Sequence, residues 1–501
     1  MLLIKKYKEL VLVTILLLLS TILLSYKLTI IPPGINFDES SIGYNASLIS
    51  KSLHDENGRL LPVFVLTLDG KDWKQPVNIY FLAILFKVFG TSYFLLRYIS
   101  VIYAIISGLL FYLLLRQYFK PSLSITGLIL FILTPSIVLQ SHLALENIAL
   151  LPFIIGWLYF LLSYGRYKRL WMVLISSVLL GISFYSYKGM HGLVPVYILA
   201  SLLYLFFPIT NLKISELIKK IKPLVAFCVG LLPFILPIKW LQVHYAGAVF
   251  DPNTVGLPSF HEALNVYLSS FDFSFLFVHG DKMLVHSTQQ YGMFIFPIFI
   301  LFFLGIVYTA RNPTKDYLFI IFVLLLSPLP LVLVGSLYRA SRLMMYVPLI
   351  LFISILGIKL IIEYKHKFQR NFIIICLFVF TGIQSVAFLR YYWNEYPKLI
   401  VYEFSPNINS AVRQLSEMAI KLNKKPYIEK DDYYSHKQDY QFYSEVYLSK
   451  MDIKLWDRNK GNLPADGLLL TPISGSNGLK TMDTIVNYYS GQKQYYLVGV
   501  E

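Results

Sequence analysis

The sequence predicts a mainly α, polytopic membrane protein of about eleven transmembrane helices, followed by a small C-terminal α/β domain. Three observations predict it. Of 501 residues 56% are hydrophobic and only 14% charged, with a mean hydropathy of +0.60, a balance outside that of ordinary soluble globules. Apolar runs long enough to cross roughly 30 Å of hydrocarbon recur as far as residue 389. After Arg390 the composition turns polar and tyrosine-rich.

The first run, Val11 to Ser25 and on to about Ile31, lacks a small-x-small cleavage site and reads as a retained span rather than a signal peptide. Further spans are expected near residues 94–115, 121–140, 147–163, 170–187, 190–207, 223–241, 291–310, 316–335, 343–362 and 371–389. The run Val77 to Gly90 is short and flanked by polar groups, which predicts a juxtamembrane helix lying in the interface. Tyr391-Tyr392-Trp393 reads as an aromatic belt. Beyond it, a helical pattern at Asn407 to Leu422, strand-like runs at Gly467 to Ile473 and Gln494 to Val500, and turns at Gly475 and Gly478 predict an α/β domain with a modest core. The expected division is a transmembrane module over residues 1–390, with outer loops 32–93 and 242–290, and an extracytoplasmic domain over 391–501.

The net charge of +16 does not form one patch, so nucleic acid is not an expected partner. The basic residues instead punctuate the apolar runs: Lys5, Lys6 and Lys8; Arg116 and Lys120; Arg166, Lys168 and Arg169; Lys213, Lys219, Lys220 and Lys222; Arg311 and Lys315; Lys365, Lys367 and Arg370. Every alternate loop is basic, which by the positive-inside rule predicts a cytoplasmic N-terminus and an outer C-terminus. Lys27 lies close enough to a helix end to snorkel. Cys228 and Cys376 each sit inside an apolar stretch, supporting neither a disulfide framework nor a cysteine metal site.

On this orientation the chemically suggestive residues fall on the outer face. Asp38 and Glu39 follow the first span and the breaker Pro32-Pro33-Gly34, and ionisable residues at a membrane edge point to function. Neighbours on a helix point about 100° apart, so one acid is expected to work while the other braces the loop; both also suit a helix N-terminus. Lys74-Gln75-Pro76 puts a cation at a helix start, which calls for a nearby anion such as a phosphate, or for a lipid headgroup. His142 and Glu146, four apart, can share one face of a helix and there bind a metal with Asp38, orient a sugar, or form a structural pair. Tyr185-Ser186-Tyr187 and Asp281 to His286-Ser287 are further polar clusters, and Tyr187, Asp281 and His286 join the candidates. Pro328-Leu329-Pro330 interrupts the ninth span, and Arg339 and Arg342 beyond it are three apart, with planar donors suited to a lipid phosphate or to headgroup anchoring.

Taken in order, these segments resemble the GT-C membrane glycosyltransferases of the dolichyl-phosphate-mannose protein mannosyltransferase group, including the bacterial phospholipid-carrier-dependent enzymes related to aminoarabinose transferase. The matching pieces are Phe37-Asp38-Glu39, Lys74-Gln75-Pro76, Leu143-Ala144-Leu145-Glu146-Asn147, Tyr185-Ser186-Tyr187, Leu276 to Asp281 with His286-Ser287, and Arg339 with Arg342. The resemblance covers about residues 9–400. It implies the GT-C fold, a polyprenyl-phosphate sugar donor lying between helices, and an extracytoplasmic acceptor: protein, glycan or lipid. It makes Asp38 the acceptor base, Lys74, Arg339 and Arg342 holders of the donor phosphate, and Glu146 the second acidic residue, with Glu39 and His142 as support or sugar contacts. Two positions depart from the pattern: Lys-Gln-Pro stands where Lys-Pro-Pro is common, and His142 where Arg is frequent.

The residues fit that chemistry on their own terms. Displacing phosphate from an anomeric carbon needs a carboxylate to take the acceptor proton and cations to stabilise the leaving phosphate. A single displacement inverts the anomeric configuration. No cofactor is demanded, although a divalent ion can assist. The competing classes are a transporter or flippase of lipid-linked glycans, for which polar mid-membrane residues and repeats are expected, and a polymerase or ligase using diphosphate-linked glycans.

Overall fold

The computed structural model describes residues 2–207, 214–250, 256, 258–335, 337–404, 406–449, 451–459, 461–473, 479–486 and 493–500. The turns expected at Gly475 and Gly478, and Lys213, lie outside them. The chain forms two compact units, one of residues 1–26, 75–77 and 100–392, the other of residues 27–74, 78–99 and 393–501.

The first unit is helical. Helices at Tyr7–Ser25, Tyr93–Arg116, Lys220–His244, Lys315–Val334 and Lys367–Asn394 are long and apolar enough to cross a membrane. Shorter apolar helices include Leu170–Phe184, Met190–Phe206, Pro297–Arg311 and Tyr346–Ile362, and Leu151–Tyr167 occupies the expected fourth span. Each apolar run read as a span thus carries helix. The third is broken: Pro121–Ile132 and Pro135–Ser141 meet at a 54° bend. Pro135 cannot donate to the helix ladder and forces the preceding Thr134 out of helical geometry, to φ −65° and ψ 126°. Ser136 secures the restart by donating from N (3.2 Å) and Oγ (2.7 Å) to the Met293 carbonyl.

Helices Pro297–Arg311 and Tyr346–Ile362 approach backbone to backbone. A methyl group placed on Gly305 would strike the Ile353 carbonyl, and one on Gly357 the Leu301 carbonyl. Small residues at such crossings let apolar helices gain close packing where lipid offers no hydrophobic driving force.

In the second unit the helix Phe37–Ser52 is followed by a hairpin of β1 (Val65–Thr67) and β2 (Asp72–Lys74). Its turn uses positive φ at Leu68, Asp69 and Gly70. The tail sheet comprises β3 (Lys425–Glu429), β4 (Lys454–Trp456), β5 (Gly467–Thr471), β6 (Lys480–Val486) and β7 (Lys493–Gly499), in the order β4-β3-β5-β7-β6. β3 runs parallel to β4 and β5, while β7 is antiparallel to β5 and β6. Tyr427, Trp456, Leu469 and Val498 form one core of the sheet. The expected tail helix is Pro406–Leu422, and helices Lys430–Ser435 and Lys437–Tyr447 accompany it.

The glycine crossing yields a stability prediction. Gly305→Val must displace main chain rather than a flexible side chain, so it should cost about 1–3 kcal/mol or more. Thermal unfolding of the detergent-purified protein should show a clear fall in midpoint, whereas Gly382→Val, with open space around it, should leave the midpoint within a degree or two.

Candidate active site

The two first-loop acids take different partners. Asn36 caps the helix Phe37–Ser52 by accepting from Glu39 N at 2.9 Å, and Glu39 Oε2 accepts from Asn36 N at 3.4 Å, closing a reciprocal capping box. Glu39 is fully buried and meets Arg97 in a fork: Nε donates to Oε1 at 3.0 Å and Nη2 to Oε2 at 3.1 Å. Arg97 also donates to the carbonyls of Leu28 (3.1 Å), Pro32 (2.8 Å) and Gly34 (2.6 Å). All of its guanidinium hydrogens therefore have acceptors. Glu39 is the brace of the first loop.

Asp38, one residue earlier and rotated away, is partly exposed, its side chain 34% accessible. It forms an ion pair with Lys74 Nζ, which also donates to Asp72 Oδ2 at 2.7 Å. Lys74 does not open a helix as expected; it ends β2, and the helix begins at Pro76. Asp72 and Lys74, two apart on a strand, share one face. The anion that Lys74 was expected to need is supplied by the protein, as two carboxylates.

In the first unit Glu146 accepts from Gln75 N at 2.6 Å, a bond that proline at this position could not donate. The Gln75 side-chain amide meets His191 Nε2 at 3.2 Å. The expected pairing of His142 with Glu146 on one helix face is corrected. The helix Pro135–Ser141 ends before His142, and the chain from there to Leu150 is turns, so the four-residue spacing carries no shared face. His142 is buried with its ring edge-on to Tyr392 at 5.3 Å.

Arg339 stands in extended backbone at the start of the 3-10 turn Ala340–Leu343, which carries Arg342. Arg342 hydrogen-bonds the Tyr187 hydroxyl, and Glu146 lies close enough to act on it electrostatically. Burial, then the positive charges of Arg339 and Arg342, lower the His286 pKa to about 4, so the ring is neutral at pH 7. His286 Nδ1 lies 3.5 Å from Gln140 Nε2, and Gln140 Oε1 accepts from Asn147 at 3.4 Å. Asp281 is buried and works as a tie: Oδ1 accepts from Met283 N at 2.9 Å and Oδ2 from Ala340 N at 2.8 Å. Burial raises its pKa above the ordinary value despite those two amides and Arg339. Asp281 and His286 line a small pocket with Ser136, Ser287, Tyr291 and Phe388. Among the described residues there is no group of three or more His, Cys, Asp and Glu placed to hold a metal.

Sequence reasoning missed Arg97 and Asp72. Arg97 is a lone cation near the start of an apolar helix, and such a charge requires a buried partner; Glu39 was available. Breaking a buried pair leaves its partner charged and unsatisfied, so Arg97→Met or Glu39→Leu alone should each cost about 3–5 kcal/mol, and the double variant less than their sum. A thermal-stability double-mutant cycle checks this. His286 gives a pH prediction. A base whose folded pKa is lowered contributes stability above its ordinary value of 6.5, and that stability is lost as pH falls toward about 4. The melting midpoint should drop over that window more steeply for the unaltered protein than for His286→Gln.

Comparison with known proteins adds to this geometry. The family model described as dolichyl-phosphate-mannose-protein mannosyltransferase matches residues 74–240, the stretch carrying Lys74, His142, Glu146 and Tyr187. Among curated proteins no match was found. ArnT from Cupriavidus metallidurans bound to undecaprenyl phosphate aligns with a TM-score of 0.56 at 11% identity, covering 98% of this chain and 97% of that one. Its apo form gives 0.56 at 9%, covering 97% of each chain. The archaeal oligosaccharyltransferase AglB from Archaeoglobus fulgidus, in complex with an inhibitory peptide and a dolichol-phosphate, gives 0.51 at 15%, covering 88% of this chain. This chain spans 64% of that longer protein. The likeness is one of fold: the chain has the GT-C fold of these membrane proteins, with a small C-terminal sheet domain.

Proposed function

We propose that the protein is an integral membrane glycosyltransferase that moves one sugar from a polyprenyl-phosphate carrier to an extracytoplasmic acceptor, a protein, glycan or lipid. The observation that carries the reading is the separation of the first-loop acids: Glu39 is consumed by Arg97, while Asp38 stays partly exposed on the Lys74 ammonium. The match of residues 74–240 and the shared fold support the same reaction class. ArnT was bound to undecaprenyl phosphate and AglB to a dolichol-phosphate, and from these we take the carrier to be a polyprenyl phosphate.

The reaction is a single displacement. Asp38 takes the proton of the acceptor hydroxyl as its oxygen bonds to the anomeric carbon, and the bond from that carbon to the phosphate oxygen breaks on the opposite face. The phosphate leaves with the electron pair, and Arg339 and Arg342 stabilise its charge. The product has inverted configuration. Lys74 positions Asp38, Asp281 and Tyr187 fix the arginines, and Glu146 with His142 shapes the sugar side. The step as drawn requires no cofactor, and a divalent ion can act on the phosphate.

From the alternating basic loops we place the N-terminus in the cytoplasm and the tail outside, and from the resemblance to the bacterial carrier-dependent enzymes we take the plasma membrane as the site of action. Transfer from radiolabelled polyprenyl-phosphate sugars to endogenous acceptors in membranes tests the reading. Asp38→Asn should lower the rate by about 10²–10⁴ with the protein still folded. Transfer by Asp38→Asn at an undiminished rate would remove Asp38 from its role. No transfer by the folded intact protein across a broad panel would turn the assignment toward transport or diphosphate-linked donors.

A further inference from the structure

The tail contributes more to the second unit than its own sheet. Its helix Lys437–Tyr447 packs along Phe37–Ser52, the helix that begins one residue before Asp38. Glu445 accepts from Ser47 Oγ at 2.8 Å and pairs with Lys51. Lys437 pairs at 2.5 Å with Asp69 in the turn of the hairpin that ends at Lys74. Between these polar ends the helix buries aromatic rings. Phe442 and Tyr443 are fully buried. The Tyr443 ring stands edge-on to Tyr93 at 5.7 Å, and Tyr93 donates to the Gly34 carbonyl. The Arg97 guanidinium lies 4.9 Å from the Tyr93 ring and 5.9 Å from that of Phe404, another tail residue.

At Gly43 the two helices meet closely: a methyl group there would sit 2.6 Å from Phe442 Cε2. One tail helix therefore touches the helix bearing Asp38, the hairpin bearing Lys74 and the wall around the Glu39–Arg97 brace. We propose that helix Lys437–Tyr447 is a positioning element for the base: it sets where Asp38 and Lys74 stand, with Phe442 against Gly43 as its key contact. This rests on the assignment of Asp38 as base. The tail then serves to position the catalytic carboxylate.

A size-compensating pair in the full-length protein in lipid nanodiscs tests it. Alanine favours helix over glycine by about 1 kcal/mol, so damage by Gly43→Ala reports the contact with Phe442 and not helix propensity. Gly43→Ala should increase hydrogen exchange of the 37–52 amides and lower kcat about tenfold, with the KM for undecaprenyl-phosphate-linked and dolichyl-phosphate-linked sugars within about twofold of the unaltered value. Gly43→Ala with Phe442→Leu should restore both protection and kcat. The proposal is overturned by an undiminished kcat in Gly43→Ala, by a loss the double variant does not rescue, or by a change confined to KM. Should the unaltered protein transfer no sugar, the functional reading falls. Exchange alone then decides the contact: protection lost and regained supports the positioning helix, and unchanged protection overturns it.

Discussion

The buried fork between Arg97 and Glu39 is the interaction on which the candidate site depends. Taking a guanidinium and a carboxylate out of water is costly unless every donor and acceptor finds a partner. Here the carboxylate takes two hydrogens, and the carbonyls of Leu28, Pro32 and Gly34 take the remaining three. Those carbonyls belong to the breaker segment before the helix Phe37–Ser52, so the pair fixes both the helix start and the chain leading into it. Glu39 also closes the capping box with Asn36. With Glu39 locked in place, the helical rotation of about 100° per residue leaves Asp38 facing elsewhere. Two adjacent acids thereby acquire separate partners from one geometric constraint.

The remaining charges are also held by specific partners. Asp72 shares the Lys74 ammonium with Asp38, so the lysine is fixed by a carboxylate on its own strand. Asp281 spends its oxygens on the amides of Met283 and Ala340, which joins the segment after Gly280 to the turn carrying Arg339 and Arg342. The His286 ring beside those arginines stays neutral and adds no third positive charge near them. Tyr187 fixes Arg342 from another loop. Arg339 thus lies within electrostatic reach of the Asp281 carboxylate, and Arg342 of the Tyr187 hydroxyl.

Much of the fold was legible because membrane spans announce themselves by length and apolarity alone. The bend at Thr134-Pro135 was written in the sequence too, yet it lay inside a run that hydropathy reads as one span. The short helix that begins at the bend stops at Ser141, which is why the spacing of His142 and Glu146 misled. Lys74 misled for a different reason: Pro76 signals a helix start and drew the lysine into it, although Asp69-Gly70, a turn pair with positive φ at both residues, marks the short hairpin before it. In the tail, Pro406–Leu422, Gly467–Thr471 and Lys493–Gly499 matched their patterns. The three-residue β4 and the irregular β6 carry too little periodicity to register. Asp38 became a candidate from its chemistry and place in the sequence, whereas Arg97 needed the fold to show which acid it serves.

A small polar tail beside an apolar protein acquires a physical purpose from the brace. An ion pair holds a fixed geometry best where water cannot compete for its hydrogens, because the local dielectric sets how strongly the charges bind. Around Arg97 the exclusion of water comes partly from Tyr93 and partly from tail aromatics, Phe404 on the guanidinium and Tyr443 behind Tyr93. The sheet supplies the rigid support these side chains need, since helix Pro406–Leu422 and β3 pack together and so anchor the segments that carry the aromatics. The tyrosine-rich composition suits such a lid, which needs large rings to displace water, while the Tyr440 and Tyr447 hydroxyls donate to Asp432 and Asn409.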